Sequence, residues 1–340
     1  MMKRLTLEEI AKIAGVSRAT VSRVVNDHPN IRLEVRQRVQ DVIDKTGYEP
    51  NRAARSLASN RSNIIGLFKP LVGLSDLFID PYYPKLMNGI SRECNDLDYV
   101  LTLFIFENRK EEKAKFNRII NSGLIDGLII TASAIDDPFV PVLKQRNIPF
   151  VMVGRAPQDA NVSFVDAENI AGGYMAASHL IRTGYKRIAC IAPELSTGVG
   201  EDRLKGFLNA FKERQIEVDK SLIVEGDFTF AGGAKMMRQL LPLKPDAVFA
   251  GSDAMALGAM QAIQESGLRV PEDVAVVGFD DFPSASNSSP MLTTIRQPVE
   301  QTGSIAVRTL IDIIDTGSSI PRNTILPVEL VIRGSCGALR

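Results

Sequence analysis

Short runs of β-forming apolar residues alternate with amphipathic segments of helical periodicity along most of the chain. The apolar runs lie at 64–68, 100–104, 127–130, 150–153, 187–191, 222–224, 247–250 and 274–277. The predicted helices lie at about 84–97, 110–122, 137–146, 170–184, 200–215, 231–240 and 254–266. Continuously apolar strands that alternate with helices form parallel sheets covered on both faces. The alternation therefore predicts an α/β fold with two doubly wound lobes, starting near residues 64 and 187.

Composition excludes several classes of protein. The chain has 340 residues, of which 45% are hydrophobic and 24% charged, as in a globular chain of more than one module. No apolar run approaches the ~20 residues that span a bilayer, and the N-terminus turns acidic at Glu8 and Glu9 before a signal-peptide core forms. Three dispersed cysteines and two histidines argue against a disulfide scaffold or a zinc site. We expect a cytoplasmic protein with no membrane contact, no metal and no cofactor.

Charge is distributed unevenly, although the net charge is zero. Residues 1–62 contain 12 Lys and Arg residues against 7 Asp and Glu residues, a net charge of +5, and the remainder carries −5. A basic head on a mildly acidic body suggests that the head alone meets a polyanion. Many small helical domains are equally basic, so the charge alone does not show that the head binds a polyanion, and the argument depends on the residue pattern.

The head has the pattern of a helix-turn-helix. Thr6 and Glu9 have the spacing of a capping box, and apolar residues follow at helical spacing up to Ala14. Gly15 permits the positive φ of a tight turn, and Ser17 is placed to cap the next helix. A third helix is predicted from about residue 32 to residue 46, ended by Gly47.

The second helix presents polar residues that the core does not require. Arg18, Ala19, Ser22 and Arg23 lie on its exposed side. A cation at a helix N-terminus opposes the macrodipole, so Arg18 favours contact with an anion. The alternative is a helical hairpin used for packing alone; the pattern favours insertion of the second helix into a DNA major groove.

Residues 50–62 follow with three arginines and one large apolar residue, Leu57. Their polar composition fits an interdomain linker. It also fits a segment that folds on DNA and inserts Leu57 between base steps in the minor groove.

Residues 6–57 resemble the head of the LacI/GalR family of bacterial transcription regulators. The matching stretches are 7–11, 14–17, 20–26, 47–51 and 54–57. Arg32 departs from the family, whose third helix usually begins at a Ser or Thr cap, and Asn30 is an alternative cap. The resemblance implies that base edges, phosphates and the minor groove are contacted by Thr6, Ser17, Arg18, Ala19, Thr20, Ser22, Arg23, Asn26, Asn51, Ala54, Arg55 and Leu57.

Polar and aromatic residues follow the predicted strands of the body, where ligands bind in open parallel sheets. An arginine, several carboxylates and aromatic rings fit a polyhydroxylated ligand. Two other carboxylates, Asp253 and Asp281, are expected to be caps or structural hydrogen-bond acceptors rather than ligand contacts.

The family resemblance extends over nearly all of the body, which in this family resembles periplasmic sugar-binding proteins. It implies an effector site at Tyr82, Tyr83, Arg155, Arg203, Phe228, Ser252 and Asp280. Arg155 is included because Gly154 occupies the position where some family members have an acidic residue, so the ligand contact there is expected to pass to Arg155. The implied domains are a helix-turn-helix at 1–50, a hinge at 51–62 and an effector-binding and dimerisation domain at 63–340. Its first lobe comprises about 63–165 and 294–324, and its second about 166–293 and 325–338.

No motif of a hydrolase, metalloprotease or nucleotide-binding loop is present, so an enzyme is not expected. The predicted function is that of a sequence-specific repressor whose affinity for a pseudo-palindromic operator in double-stranded DNA is set by a small ligand, a sugar, bound between the lobes. No leucine heptad, the tetramer-forming element of the family, follows Arg333, so the resemblance implies a homodimer. The alternatives are a sugar-binding protein without a regulatory role and a regulator that responds to a nucleoside or purine.

Overall fold

A computed structural model describes residues 5–25, 28–48, 61–69, 81–106, 109–131, 138–156 and 161–338. The chain divides into two compact units, Met1–Asn63 and Ile64–Arg340. Within the described ranges, no helix is both long and apolar enough to cross a bilayer.

The first unit contains three helices, α1 (Leu7–Ala14), α2 (Arg18–Val25) and α3 (Leu33–Thr46). The predicted capping box is confirmed, because the Glu9 amide donates to Thr6 and the Glu9 carboxylate accepts from the Thr6 amide. Gly15 ends α1 at φ 63°, and Ser17 Oγ accepts the Thr20 amide at 3.1 Å. Apolar side chains of the three helices form one small core.

α3 begins close to the predicted position, and the alternative that Asn30 caps it is wrong. Arg32 occupies the N-cap position, and no side chain there accepts an amide hydrogen. An arginine side chain has only donors, so it cannot satisfy the first helical amides. Gly47 ends α3 at φ 58°, as predicted.

The second unit contains two sheets of six strands each. The first sheet has the order β11-β5-β4-β3-β1-β2 and is parallel throughout. Its strands are β1 (Ile64–Phe68), β2 (Val100–Phe104), β3 (Gly127–Thr131), β4 (Phe150–Val153), β5 (Phe164–Ala167) and β11 (Asn323–Leu326). The helices around it are α4 (Tyr82–Asp96), α5 (Arg109–Ile120), α6 (Phe139–Gln145) and α12 (Val299–Thr316). α4 and α12 cover one face, and α5 and α6 cover the other.

The second sheet has the order β12-β10-β9-β8-β6-β7, in which only β12 is antiparallel to its neighbour. Its strands are β6 (Ile188–Ala192), β7 (Ile223–Glu225), β8 (Ala247–Ala250), β9 (Ala275–Asp280), β10 (Thr293–Arg296) and β12 (Glu329–Val331). The helices of this lobe are α7 (Asn169–Thr183), α8 (Gly198–Glu213), α9 (Phe230–Leu240), α10 (Asp253–Glu265) and the short α11 (Pro283–Asn287). α7 and α8 cover one face of the sheet, and α9 and α10 cover the other.

The chain passes between the lobes later than the sequence suggested. The expected crossings were near residues 165, 293 and 325, but they follow β5, β10 and β11, at about 168, 297 and 327. Residues 294–296 therefore belong to the second lobe, and residues 325 and 326 to the first. Pro298 and Pro327 lie at two of these crossings. Proline has no amide hydrogen to continue a strand ladder, so both residues mark the strand ends that we missed.

Helices α7 and α8 approach closely because glycines face backbone at their contact. A Cβ on Gly173 would lie 2.1 Å from the Arg203 carbonyl oxygen, and one on Gly206 would lie 2.0 Å from that of Ile170. This approach brings the first turn of α7 against Arg203.

We predict that Gly173→Ala and Gly206→Ala each lower the free energy of unfolding by ~1–3 kcal/mol or more, because the added methyl meets rigid backbone. Gly198→Ala, in the first turn of α8, is the matched control. Its Cβ would have no neighbour closer than 3.5 Å, so the change should be under ~1 kcal/mol. Urea unfolding measures all three. Equal stability of the Gly173 and Gly198 variants would contradict the close packing.

Candidate functional site

Helix α2 displays the predicted polar face. Arg18, Ala19 and Arg23 are exposed and Ser22 is half-buried, while Val21 and Val24 are buried in the core. Thr6, Ser17 and Thr20 use their side chains in local capping bonds. The face is therefore available for contact with a partner.

Arg18 has a carboxylate partner that the sequence argument did not include. Its Nε lies 2.8 Å from Glu8 Oε1, and both side chains are more than half exposed. The unfavourable position of Arg18 at a helix N-terminus therefore does not by itself require an anion from outside the chain. A pair this exposed contributes at most ~1 kcal/mol, so the guanidinium can leave it readily.

Five residues of the predicted DNA interface lie outside the described residues. They are Asn26, Asn51, Ala54, Arg55 and Leu57.

Arg203 lies at the centre of the second candidate site. It is 4% exposed, its Nε donates to Asn169 Oδ1 at 2.9 Å, and one terminal nitrogen donates to the Gly251 carbonyl at 2.5 Å. The same nitrogen lies 3.5 Å from Asp280 Oδ1, and the guanidinium stacks 3.6 Å from the Phe279 ring centroid. Burial lowers the pKa of Arg203 and Asp280 opposes that shift.

Asp280 is held in an uncommon conformation. Its φ is 122°, and the following Asp281 has φ 58°, both in the region that favours glycine. Asp280 Oδ1 accepts from Gln297 Nε2 at 2.6 Å, and Oδ2 accepts the Asp253 amide at 3.4 Å. Strain at two consecutive residues at a strand end is characteristic of a functional site.

Asp253 and Asp281 have the structural roles predicted for them. Asp253 accepts from the Phe282 amide at 2.9 Å and from Thr294 Oγ1 at 2.5 Å, and burial with the nearby Asp280 raises its pKa well above the ordinary value. Asp281 accepts from Arg296 and Arg333, both at 2.6 Å.

Some of the remaining predicted effector residues approach Arg203, and others do not. Tyr82, on α4 of the first lobe, lies near Arg203 of the second and packs edge-to-face on Tyr83. Ser252 is buried beside Gly251, and its hydroxyl caps α10 by accepting the Met255 amide at 3.2 Å. Phe228 follows β7 at φ 63° and is half-buried. Ligand contact by any of these residues remains a prediction.

Arg155 joins the two lobes. It follows β4 of the first lobe, and its guanidinium lies 2.8 Å from Asp202 Oδ1 on α8 of the second. Burial raises the pKa of Asp202, and Arg155 opposes the shift. A cavity of about 400 Å³ adjoins this pair, with Asp166, Asn169 and Tyr174 in its wall.

Sequence reasoning missed four residues around this site. Asn169 and Gln297 follow the unrecognised strands β5 and β10, and Asp166 lies within β5. Thr131 ends β3, at the strand ends where Arg155 also lies. Its hydroxyl is buried without a hydrogen-bond partner among the described residues, which suits a ligand hydroxyl. For Thr131 the available signal was a polar side chain at the carboxyl end of a predicted strand. For the other three residues the strand itself was not recognised.

Comparisons with known proteins identify the two units. Residues 6–51 match the model of bacterial regulatory proteins of the lacI family, and residues 177–336 match that of a periplasmic binding protein-like domain. The HTH-type transcriptional regulator CelR of Thermobifida fusca is 36% identical over 98% of both chains. The ribose operon repressor of Escherichia coli K12 is 34% identical over 97% of this chain and 99% of its own.

The chain belongs to the LacI family.

Solved structures agree with this assignment to the LacI family. A complex of the regulator CelR with cellobiose superposes with a TM-score of 0.77, at 35% identity over 98% of this chain and all of that one. A lac repressor dimer bound to operator and an anti-inducer superposes with a TM-score of 0.84, at 29% identity over 98% and 99% of the chains. Helix-turn-helix and two-lobed body therefore occur together in both, and the predicted fold class is confirmed.

We predict a distinct pH dependence from Asp166. Burial raises its pKa from 3.8 to about 6, against opposing contributions from the Ala167 amide, Arg203 and Asn169. Between these pH values the folded chain binds the proton that the unfolded chain has lost, so stability falls as pH rises from 4 to 6 and stays lowered above. Two pKa units correspond to about 3 kcal/mol.

Asp166→Asn removes this ionisation, so the wild-type chain should lose about 3 kcal/mol relative to the variant between pH 3 and pH 7. Denaturant unfolding of both proteins at four pH values measures the difference. Parallel stability profiles would show that Asp166 ionises normally in the folded state.

Proposed function

We propose that this LacI-family protein is a transcriptional repressor whose operator affinity is set by a sugar bound between its lobes. The observation that carries the ligand assignment is the buried Arg203–Asp280 pair at the junction of the lobes, 3.5 Å apart. Such a pair presents a donor and an acceptor side by side, and a vicinal diol of a sugar complements both. The groups available here bind and orient a ligand, and we assign no catalytic step to them.

Other side chains of the site support a polyhydroxylated ligand. The unpartnered Thr131 hydroxyl and the Tyr82 ring lie in the first lobe, and Arg203 and Asp280 lie in the second. A ligand that contacts all four would bridge the lobes. The regulator CelR has been solved with cellobiose, and a LacI-family regulator from Enterococcus faecium with ribose. A nucleoside or purine, the alternative that the family resemblance left open, is the second candidate.

On the DNA side, we infer that two copies act together. The lac repressor was solved as a dimer on its operator. Two α2 helices in successive major grooves require a pseudo-palindromic site, and Leu57 of each hinge is proposed to enter the minor groove at its centre. Because the target is bacterial DNA, we place the protein in the cytoplasm.

A thermal-shift screen tests the ligand assignment. Cellobiose, ribose, other sugars, adenine and guanine are compared, and we expect a sugar to raise the melting temperature of the full chain, because a ligand stabilises the state it binds. Arg203→Ala should abolish that shift, because it removes the guanidinium that faces the ligand and leaves Asp280 without its cation. The matched control is Arg214→Ala, which removes an arginine bonded to Ser178 at 2.7 Å on the same pair of helices. A purine as the only stabilising compound would overturn the sugar assignment.

A binding-site selection with random duplex DNA tests the role of α2. We expect Arg18→Ala to relax the preference at one position of each half-site, at a cost of ~1–3 kcal/mol, because an arginine reads guanine through two hydrogen bonds. Arg38→Ala, an exposed arginine of α3, controls for the loss of one positive charge. An unchanged consensus in the Arg18 variant would exclude base readout by Arg18.

A further inference from the structure

Both partners of the Arg203–Asp280 pair are anchored at places where the chain passes between the lobes. Asn169 is the first residue of α7, directly after the crossing that follows β5, and it bonds Arg203. Gln297 lies in the crossing that follows β10, and it bonds Asp280 at 2.6 Å. Asn169, Gln297, Arg203 and Asp280 are each at most 6% exposed.

The bonds form a continuous row from one crossing to the other. Asn169 Nδ2 donates to Asp166 Oδ1 at 3.0 Å, and Asn169 Oδ1 accepts from Arg203 at 2.9 Å. Arg203 then faces Asp280, which accepts from Gln297. Asp166 belongs to the first sheet, whereas Arg203 and Asp280 belong to the second lobe. The row therefore links the two lobes through buried side chains.

The amide of Asn169 is suited to its position. It must accept from a guanidinium on one side and donate to a carboxylate on the other, and among side chains of this length only an amide does both. A carboxylate here would meet Asp166 with like charge, and an apolar side chain would leave both neighbours without a partner, which is costly in a buried site.

The weakest contact of the row is the one that a ligand would occupy. The Arg203–Asp280 distance of 3.5 Å is at the limit of a hydrogen bond, whereas the three flanking bonds measure 2.6–3.0 Å. A ligand that accepts from Arg203 and donates to Asp280 would complete the row. It would then act on Asn169 through Arg203 and on Gln297 through Asp280.

We propose that Asn169 and Gln297 are positioning residues that transmit ligand contact with Arg203 and Asp280 to two of the three lobe crossings. The proposal rests on the proposed ligand-responsive function. It predicts that a disturbance at one crossing affects the other without any added ligand, because the row consists of the chain's own side chains.

Amide hydrogen exchange of the full chain tests this coupling. We expect Asn169→Leu, which keeps the branching and the number of heavy atoms of the side chain but removes its polar groups, to accelerate exchange at the remote Gln297 and Val299 amides at least about fivefold. The reciprocal variant Gln297→Met should accelerate exchange at the Ala167 and Glu168 amides. Ser178→Ala is the matched control. Ser178 is a buried residue of α7 that accepts a hydrogen bond from Arg214, and it lies away from the crossings. It should leave the Gln297 and Val299 amides unchanged.

A double variant that swaps the residues at positions 166 and 169 distinguishes transmission between the crossings from a purely structural role of Asn169. Asp166→Asn combined with Asn169→Asp keeps an acceptor for Arg203 and a donor facing an acceptor between positions 166 and 169, but it removes the acceptor of the Ala167 amide. We therefore expect near wild-type exchange at Gln297 and faster exchange at the Ala167 amide. Acceleration confined to residues 166–173 in Asn169→Leu, or equal remote acceleration in Ser178→Ala, would overturn the proposal. The readout needs no ligand, so a sugar screen without a hit would reject the proposed ligand without affecting this result.

Discussion

The buried guanidinium of Arg203 is the constraint around which the two-lobed body is organised. A fully buried cation is costly unless charge and hydrogen bonds compensate it. Arg203 is compensated by four groups: the Asn169 side-chain amide, the Gly251 carbonyl, the Asp280 carboxylate and the Phe279 ring. Each compensation imposes a local requirement: glycine at Gly173 for the approach of α7, and a strained φ at Asp280.

This compensation also explains how a binding site can influence distant segments. Residues that hold Arg203 and Asp280 lie at the chain crossings, which are the places where a change in lobe angle must be absorbed. The inter-lobe ion pair of Arg155 with the buried Asp202 adds a second connection. A ligand at the junction would act on contacts that connect the two lobes, and allosteric control requires that such contacts differ between lobe arrangements.

Sequence alone predicted the helix-turn-helix and both sheets, because their main elements depend on local signals. Thr6, Gly15 and Ser17 are recognisable caps and turns, whereas Arg203 and Asp280 of the candidate site were named through the family resemblance. Strands β5 and β10–β12 and helix α12 were missed, and so were the residues attached to them. Phe164–Ala167 and Thr293–Arg296 are short and contain polar residues at buried positions, so their strand pairing is set by tertiary contacts rather than by local pattern. The ion pair between Glu8 and Arg18 was not predicted either, because it connects two helices and so depends on how they pack.

The central claim is that the ligand site and the DNA-binding unit are energetically coupled, and reciprocity tests it most directly. Thermodynamic linkage requires ligand and operator to change each other's affinity by the same factor. The measurement titrates the most stabilising compound of the screen into the full chain with and without saturating operator duplex, and the duplex into the chain with and without that compound. The account predicts equal factors in the range of about 5–150. Ligand affinity that is identical with and without operator would contradict it.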